Sequence, residues 1–507
     1  MSALRTRLAS ADPWVAAVGV VSLVVYALHG FDGVLKRDLG VYMYGAQRFL
    51  DGQPPYVGIL NRAGPLAHAL PAVGIWVGRQ VGVGDVLAAR YFYLLLSVAC
   101  VCLVHVLARD LYGSRLVGVV SATAFLGFQG FLWMATDGPR EKTAMVLFLL
   151  AALLALLHRR WATAGVFVAL ATLTWQPVFF VLAVTALVAV LLAPAGRWPA
   201  VLRVVLGGGV TSAVVLVYYA AHHAVHTFFE GFILINARYT SQPGVSSSET
   251  WGLLKEGYGA SVWLIVLGLV ALPVLAALAV RPAWRTREAV PVTMVALGAG
   301  WLVGMGWAGV AFNGYLDLFE MLPFAAVGLG GIMAAALARL RPRADRRVTA
   351  AVAVGLAVAL VAFATVTSVT TRSDILRKQR ASVAAVLDHA PAGTTFLSVQ
   401  APEALVLARR TNPTPIQMFT NGFDRYIDDT YPGGLQGYAD WVRRTRPDLI
   451  AVQNAFEPSW LTPVLAQGYR RVGKGPTFVW WASTDLPQSV RRSIHEAHAL
   501  AMARLPR

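Results

Sequence analysis

Residues 64–82 read GPLAHALPAVGIWVGRQVG, a stretch apolar enough to suggest a membrane span, and how it is read sets the topology of everything downstream. Pro65, Pro71 and the glycines at 64, 74, 78 and 82 interrupt it. An interfacial or re-entrant segment tolerates such residues better than a lipid-facing helix, because hydrocarbon offers no partner to a freed backbone group. Charge points the same way. Apolar runs near 14–30, 88–108, 115–134, 143–158, 161–175, 177–193, 200–221, 260–280, 289–312, 317–338 and 348–370 mark about eleven spans, bounded by charges or by Pro and Gly. With a cytoplasmic N-terminus, the basic loops at Arg109 and Arg115, Arg159 and Arg160, Arg197 and Arg203, Arg281 to Arg287, and Arg339 to Arg347 all fall inside. That holds only if both ends of 64–82 lie outside.

Composition places the chain in the same class. It is 57% hydrophobic and 14% charged, with a mean hydropathy of +0.59, the profile of a polytopic membrane protein. The formal charge of +17 is distributed in short clusters between apolar runs, so it records insertion topology and excludes nucleic acid as a partner. Cys100 and Cys102 are the only cysteines and sit two apart in one apolar run, which leaves no disulfide framework or cysteine metal site. The run from about Pro13 to Leu28 follows Arg5 and Arg7 without a small-residue cleavage site and reads as a retained signal anchor. The excess of Arg over Lys beside abundant Ala, Val and Gly is the composition of a high-GC bacterial source, and a bacterial plasma membrane location is expected.

The predicted organisation is a membrane bundle over 1–370, with long outer loops at 31–87 and 222–259, followed by an extracytoplasmic α/β domain over 371–507. In that domain β-type runs (Thr395–Val399, Leu449–Val452, Phe478–Trp481) alternate with helical ones (Ala381–His389, Gly437–Thr445), separated by turns such as Pro391-Ala392-Gly393 and Tyr431-Pro432-Gly433-Gly434. It has no nucleotide-binding glycine pattern.

The candidate chemistry gathers on the outer side. Asp38 precedes an amphipathic helical stretch with Tyr42, Ala46 and Phe49 in phase, and Gly52-Gln53-Pro54-Pro55-Tyr56 follows. A carboxylate there is placed to take a proton from an attacking hydroxyl, or simply to cap the helix. Thr136-Asp137-Gly138-Pro139-Arg140-Glu141-Lys142 opens a spanning helix; Asp137 and Glu141 are spaced to share a helix face, while Arg140 and Lys142 suit a lipid phosphate or an interfacial anchor. Gln176, in Trp175-Gln176-Pro177, reads as a sugar contact or as part of an aromatic belt. His222, His223 and His226 have no completing metal ligand nearby, and Ser241–Ser248 reads as a mobile lid or a slack connector.

These loops together resemble the GT-C superfamily. The resemblance rests on Asp38 with Tyr42 and the Gly52–Tyr56 turn, on Asn61-Arg62-Ala63-Gly64-Pro65-Leu66, on Asn236-Ala237-Arg238-Tyr239, and on the outward C-terminal domain. Within that superfamily the chain is most similar to bacterial polyprenyl- or dolichyl-phosphate-mannose mannosyltransferases. The resemblance implies an inverting transferase that moves a sugar, mannose by family analogy, from a polyprenyl-phosphate donor to a hydroxyl on a glycan, lipid or protein acceptor. It makes Asp38 the general base and gives Arg140, Lys142 or Arg238 the leaving phosphate, with Tyr42, Arg62, Asp137, Glu141 and Gln176 in support. No metal or other cofactor is required when cations are so placed, although a divalent ion is compatible with the chemistry. Many relatives carry Asp-Glu in the first loop, whereas Leu39 follows Asp38 here. The rival readings are a transporter or flippase, or a polymerase, of polyprenyl-linked glycans.

Overall fold

The computed structural model describes residues 12–194, 196–240, 246–340 and 345–504. The chain divides into two compact units, one of Met1–Gly30, Arg90–Val217 and Pro243–Thr371, the other of Phe31–Ala89, Tyr218–Gln242 and Arg372–Arg507. Most of both long loops thus clusters with the C-terminal domain.

The first unit is helical. By length and composition six described helices can cross a membrane, seven if a bent pair counts as one span, and Pro13–Ala27, Trp161–Thr174 and Val178–Leu191 are shorter apolar helices. The bent pair is Arg115–Leu126 and Gln129–Asp137, which meet at 70°. The expected single span over 115–134 is therefore broken, at Gly127-Phe128, where the backbone leaves helical geometry. Burial differs sharply between helices. Within its most apolar window Arg197–Ala221 is only 11% buried, against 72% for Tyr315–Leu340, so the former presents its valines and leucines outward and the latter is core. Glycine permits the closest crossing: a Cβ on Gly268 would lie 2.1 Å from the Ala325 carbonyl oxygen, and one on Gly328 2.0 Å from that of Gly268. Small residues of this kind bring helix backbones together in membranes. Asp12 caps Pro13–Ala27 by accepting from the Trp14 N–H and pairs with Arg109 at 2.9 Å and Arg115 at 3.5 Å, fixing three helix ends together.

In the second unit a four-stranded sheet runs β1 (Phe396–Val399), β2 (Leu449–Gln453), β3 (Tyr469–Lys474) and β4 (Phe478–Ser483), in the spatial order β1-β2-β4-β3. β1 and β2 are parallel and the other pairs antiparallel. β3 is missing from the sequence reading: its buried Tyr469 and Val472 are separated by exposed Arg470 and Arg471, and a bulge at Arg471–Gly473 breaks the strict alternation that marks a strand. Buried Trp480 donates to the Ser382 hydroxyl at 3.1 Å, tying β4 to the helix Ile375–Leu387.

Both loops are more ordered than the sequence suggests. Arg37–Leu50 and Leu66–Gln80 are helices, the latter with Pro71 inside it. Residues from Val225 to Tyr239 form a continuous helical segment with a π-helical turn at Glu230–Leu234. Of the expected lid, residues 241–245 lie outside the described residues. Ser246 is no slack connector but the cap of the helix Ser247–Tyr258, its hydroxyl accepting from the Glu249 N–H, a spacing that closes helix starts.

Candidate active site

In the first unit ionised side chains gather at helix ends in otherwise apolar surroundings. Gln129–Asp137 stops at Gly138-Pro139, and Arg140, in extended backbone, precedes the helix Glu141–Leu157. Asp137 and Glu141 therefore lie on either side of a helix break, which corrects the expectation that they share one face: proline supplies no N–H to continue the helix. Arg140, Glu141 and Lys142 are all buried. Arg140 Nε lies 3.0 Å from Glu141 Oε2. The Lys142 ammonium pairs with Asp317 and sits 4.6 Å from the centre of the Trp175 ring, the neighbour of half-buried Gln176. Asp317 also accepts from the Asn313 N–H at 2.7 Å. One turn on, Glu320 is fully buried with neither carboxylate oxygen hydrogen-bonded. Asp137 faces His29 at 3.9 Å.

Asp317 and Glu320 escaped the sequence reading. The signal was present, since two acids in an otherwise apolar run over 312–340 are expensive unless functional or paired.

The second unit holds Asp38, Tyr42, Arg62 and Arg238. Lys36 occupies the capping position of Arg37–Leu50, and Asp38 lies inside the first turn. The capping alternative for Asp38 is thereby corrected, although a negative charge there still suits the helix dipole. Its carboxylate is 39% exposed and pairs with Arg37 at 3.1 Å, whose guanidinium also donates to Thr420 at 3.2 Å. Asp38 is thus both accessible and oriented. Tyr42, one turn further, is buried against the His68 ring, 5.9 Å between centroids. His68 is fully buried, with Asn61 Nδ2 3.0 Å from its Nε2, and burial pushes its pKa down to about 4, so it stays neutral. Arg62 is a junction: its guanidinium donates to the Asn421 carbonyl and its own carbonyl accepts from Asn236. Arg238 is exposed, on the helical turn Ile235–Tyr239.

A further acid, Glu403, was not singled out from sequence. It sits in the first turn of Pro402–Ala408, fully buried, and Gly40 of the Asp38 helix packs on its backbone. Burial pushes its carboxyl up to about 8, with Arg37 pulling down and Asp38 adding to the rise. The histidines at 222, 223 and 226 assemble no ligand set: His222 stacks on Tyr218, and among the described residues no group of three or more His, Cys, Asp or Glu is placed to hold a metal.

The first unit is thus a multi-helix unit with helices of membrane-spanning length, and the second a small α/β unit that takes in the first outer loop. Among solved structures, ArnT from Cupriavidus metallidurans in the apo state matches with a TM-score of 0.60 and 13% identity over 95% of this chain and 98% of its own. ArnT bound to undecaprenyl phosphate matches at 0.53 and 17% identity, over 94% and 98%. The arabinofuranosyltransferase AftD from Mycobacteria matches at 0.54 and 17% over 93% of this chain, which corresponds to 40% of AftD. The chain has the GT-C fold; a particular likeness to mannosyltransferases finds no support among these neighbours. No family model and no curated protein matches it by sequence.

Proposed function

We infer that this protein is an integral-membrane, inverting glycosyltransferase that takes a sugar from a polyprenyl-phosphate donor and gives it to an acceptor hydroxyl. The observation that carries the reading is the buried cation cluster: Arg140 and Lys142 open a spanning helix with Asp317 and Glu320 close by, in a unit where unneeded charge is strongly disfavoured. The fold shared with ArnT, a protein seen with undecaprenyl phosphate bound, supplies the donor class.

In this reading the acceptor oxygen bonds to the anomeric carbon as the bond from that carbon to the phosphate oxygen breaks. Asp38 takes the hydroxyl proton, and the departing polyprenyl phosphate carries the negative charge. Arg37 holds the Asp38 carboxylate in one orientation. Arg140 and Lys142 offset the charge on the leaving group, with Arg238 as a further cation. Trp175 and Asp317 confine the Lys142 ammonium, so it is ordered before the donor arrives. Tyr42, Arg62, Asp137, Glu141 and Gln176 support the substrates or these groups.

Mannose follows from the sequence resemblance, while the AftD likeness puts arabinose on equal footing; the proposed acceptors are a glycan, a lipid or a protein. The N-terminus is cytoplasmic and the α/β domain extracytoplasmic in this proposal, within a bacterial plasma membrane. Purified protein given donors labelled in the lipid should release polyprenyl phosphate only when an acceptor or water takes the sugar. Movement of intact donor across a vesicle bilayer without release would support a flippase instead.

A further inference from the structure

One open cavity of about 520 Å³ in the first unit is lined by Leu157, His158, Arg159, Pro194, Arg287 and Glu288 among others, where Glu141–Leu157 and Val262–Thr286 end and Ala289–Ala311 begins. The cavity lies at the Leu157 end of the helix whose other end carries Arg140 and Lys142, so it is no part of the site described above.

Its polar lining holds two guanidinium groups, Arg159 and Arg287, beside Glu288 and His158, which pairs with Asp110 at 2.9 Å. Arg159 donates to the Arg287 carbonyl at 2.6 Å, and Arg287 to the Ala193 carbonyl at 3.4 Å. Each of these bonds uses one of a guanidinium's five N–H groups. Among the described residues neither arginine forms an ion pair with a carboxylate, Glu288 included, although Glu288 lines the same cavity. Both adopt left-handed backbone, φ 55° and 53°, at helix ends where glycine is the usual occupant.

Leu192, Ala283 and Val292, each two or three residues from the lining positions Pro194, Thr286 and Ala289, form a small buried apolar cluster. In the last turn of Val262–Thr286 Trp284 is 61% exposed, and in the first turn of Arg197–Ala221 Trp198 is 83% exposed. Exposed tryptophans beside arginines at helix ends mark the level of lipid headgroups. A free anion site would not need tryptophans at that level.

We propose that this cavity binds the phosphate headgroup of an anionic phospholipid, with Arg159 and Arg287 on the phosphate. A basic pocket between membrane helices is suited to such a ligand.

The test uses the full-length protein in neutral detergent, with retained lipid counted by native mass spectrometry during titration with phosphatidylglycerol or phosphatidylcholine. The key variant combines Arg159→Gly with Arg287→Gly. Glycine prefers the backbone these positions adopt, so the fold is retained while both guanidinium groups are lost; unchanged melting checks this. Wild type should retain phosphatidylglycerol in preference to phosphatidylcholine. At roughly fivefold per basic residue, the double variant should bind it about 25-fold more weakly, and Glu288→Gln, which removes the opposing charge, should bind it more tightly. Equal retention of the two lipids by wild type, or undiminished binding by the folded double variant, overturns the proposal. Displacement of the lipid by millimolar inorganic phosphate also overturns it, since it would make this a free-anion site.

Discussion

Glu403→Gln should raise the stability of this protein, and more so as pH rises. The carboxyl is fully buried, and burial lifts its pKa from 4.5 to about 8. Below pH 4.5 it is protonated whether the chain is folded or not, and costs nothing. Between 4.5 and about 8 the unfolded chain has lost the proton and the folded one keeps it, so stability falls by about 1.4 kcal/mol per pH unit, about 5 kcal/mol in all. Above 8 the loss is complete and constant. His68 acts in the opposite sense. Its pKa is pushed down from 6.5 to about 4, so its neutral form stabilises above 6.5 and that stability is lost as pH falls toward 4. The two slopes oppose each other up to 6.5, leaving Glu403 to act between 6.5 and 8, where wild type should lose about 2 kcal/mol. In a cooperative unit of 150–250 residues that is roughly 4–8 °C. Glutamine has the shape of the protonated acid and no proton to lose. Melting followed in detergent from pH 5 to 9 should show the variant's advantage opening with pH and levelling off near 8. Parallel melting curves for the two proteins would refute the reasoning.

Other changes probe the remaining contacts. Lys142→Met leaves the half-buried Asp317, 19% exposed, without its lysine and should cost about 1–3 kcal/mol; adding Asp317→Asn should restore much of the melting temperature but not donor turnover, which separates Lys142's electrostatic role from its structural one. Gly422→Ala should destabilise by more than about 1–3 kcal/mol, because φ is +91° and the new Cβ would lie 2.0 Å from the Tyr239 carbonyl oxygen; a melting shift within error would contradict the close approach. His68→Gln removes the slope that offsets Glu403, so the variant's melting temperature should fall with rising pH from about 4.5 to 6.5, where wild type stays nearly level, while the limb from 6.5 to 8, set by Glu403, is unchanged.

The parts of the fold legible in sequence are those fixed by local chemistry. Apolar runs bounded by arginine gave the helices, and Pro391-Ala392-Gly393 and Tyr431-Pro432-Gly433-Gly434 gave turns, because φ preference and missing donors act over a few residues. Ser246 and Glu249 carried a helix-start signal, but the serines around them favoured a reading as mobile chain. The site was less legible. Lys142 stood out as a charge at the start of a membrane helix, yet its partner Asp317 lies 175 residues away. Glu403 was not singled out at all, since its burial, with Gly40 packed on its backbone, is a property of the packed unit. The break at Gly127-Phe128 lies within an unbroken apolar run that hydropathy alone reads as one span.

The most direct test of the account is polyprenyl-phosphate release from lipid-labelled mannose and arabinose donors, comparing membranes that contain wild type with those containing Asp38→Asn, with expression and melting matched. The account predicts release by wild type from at least one donor, and a loss of about a hundredfold or more in the folded variant, the range for removing a general base. Equal release by the two proteins would remove Asp38 from the chemistry, and no release from either donor would contradict the transferase reading itself.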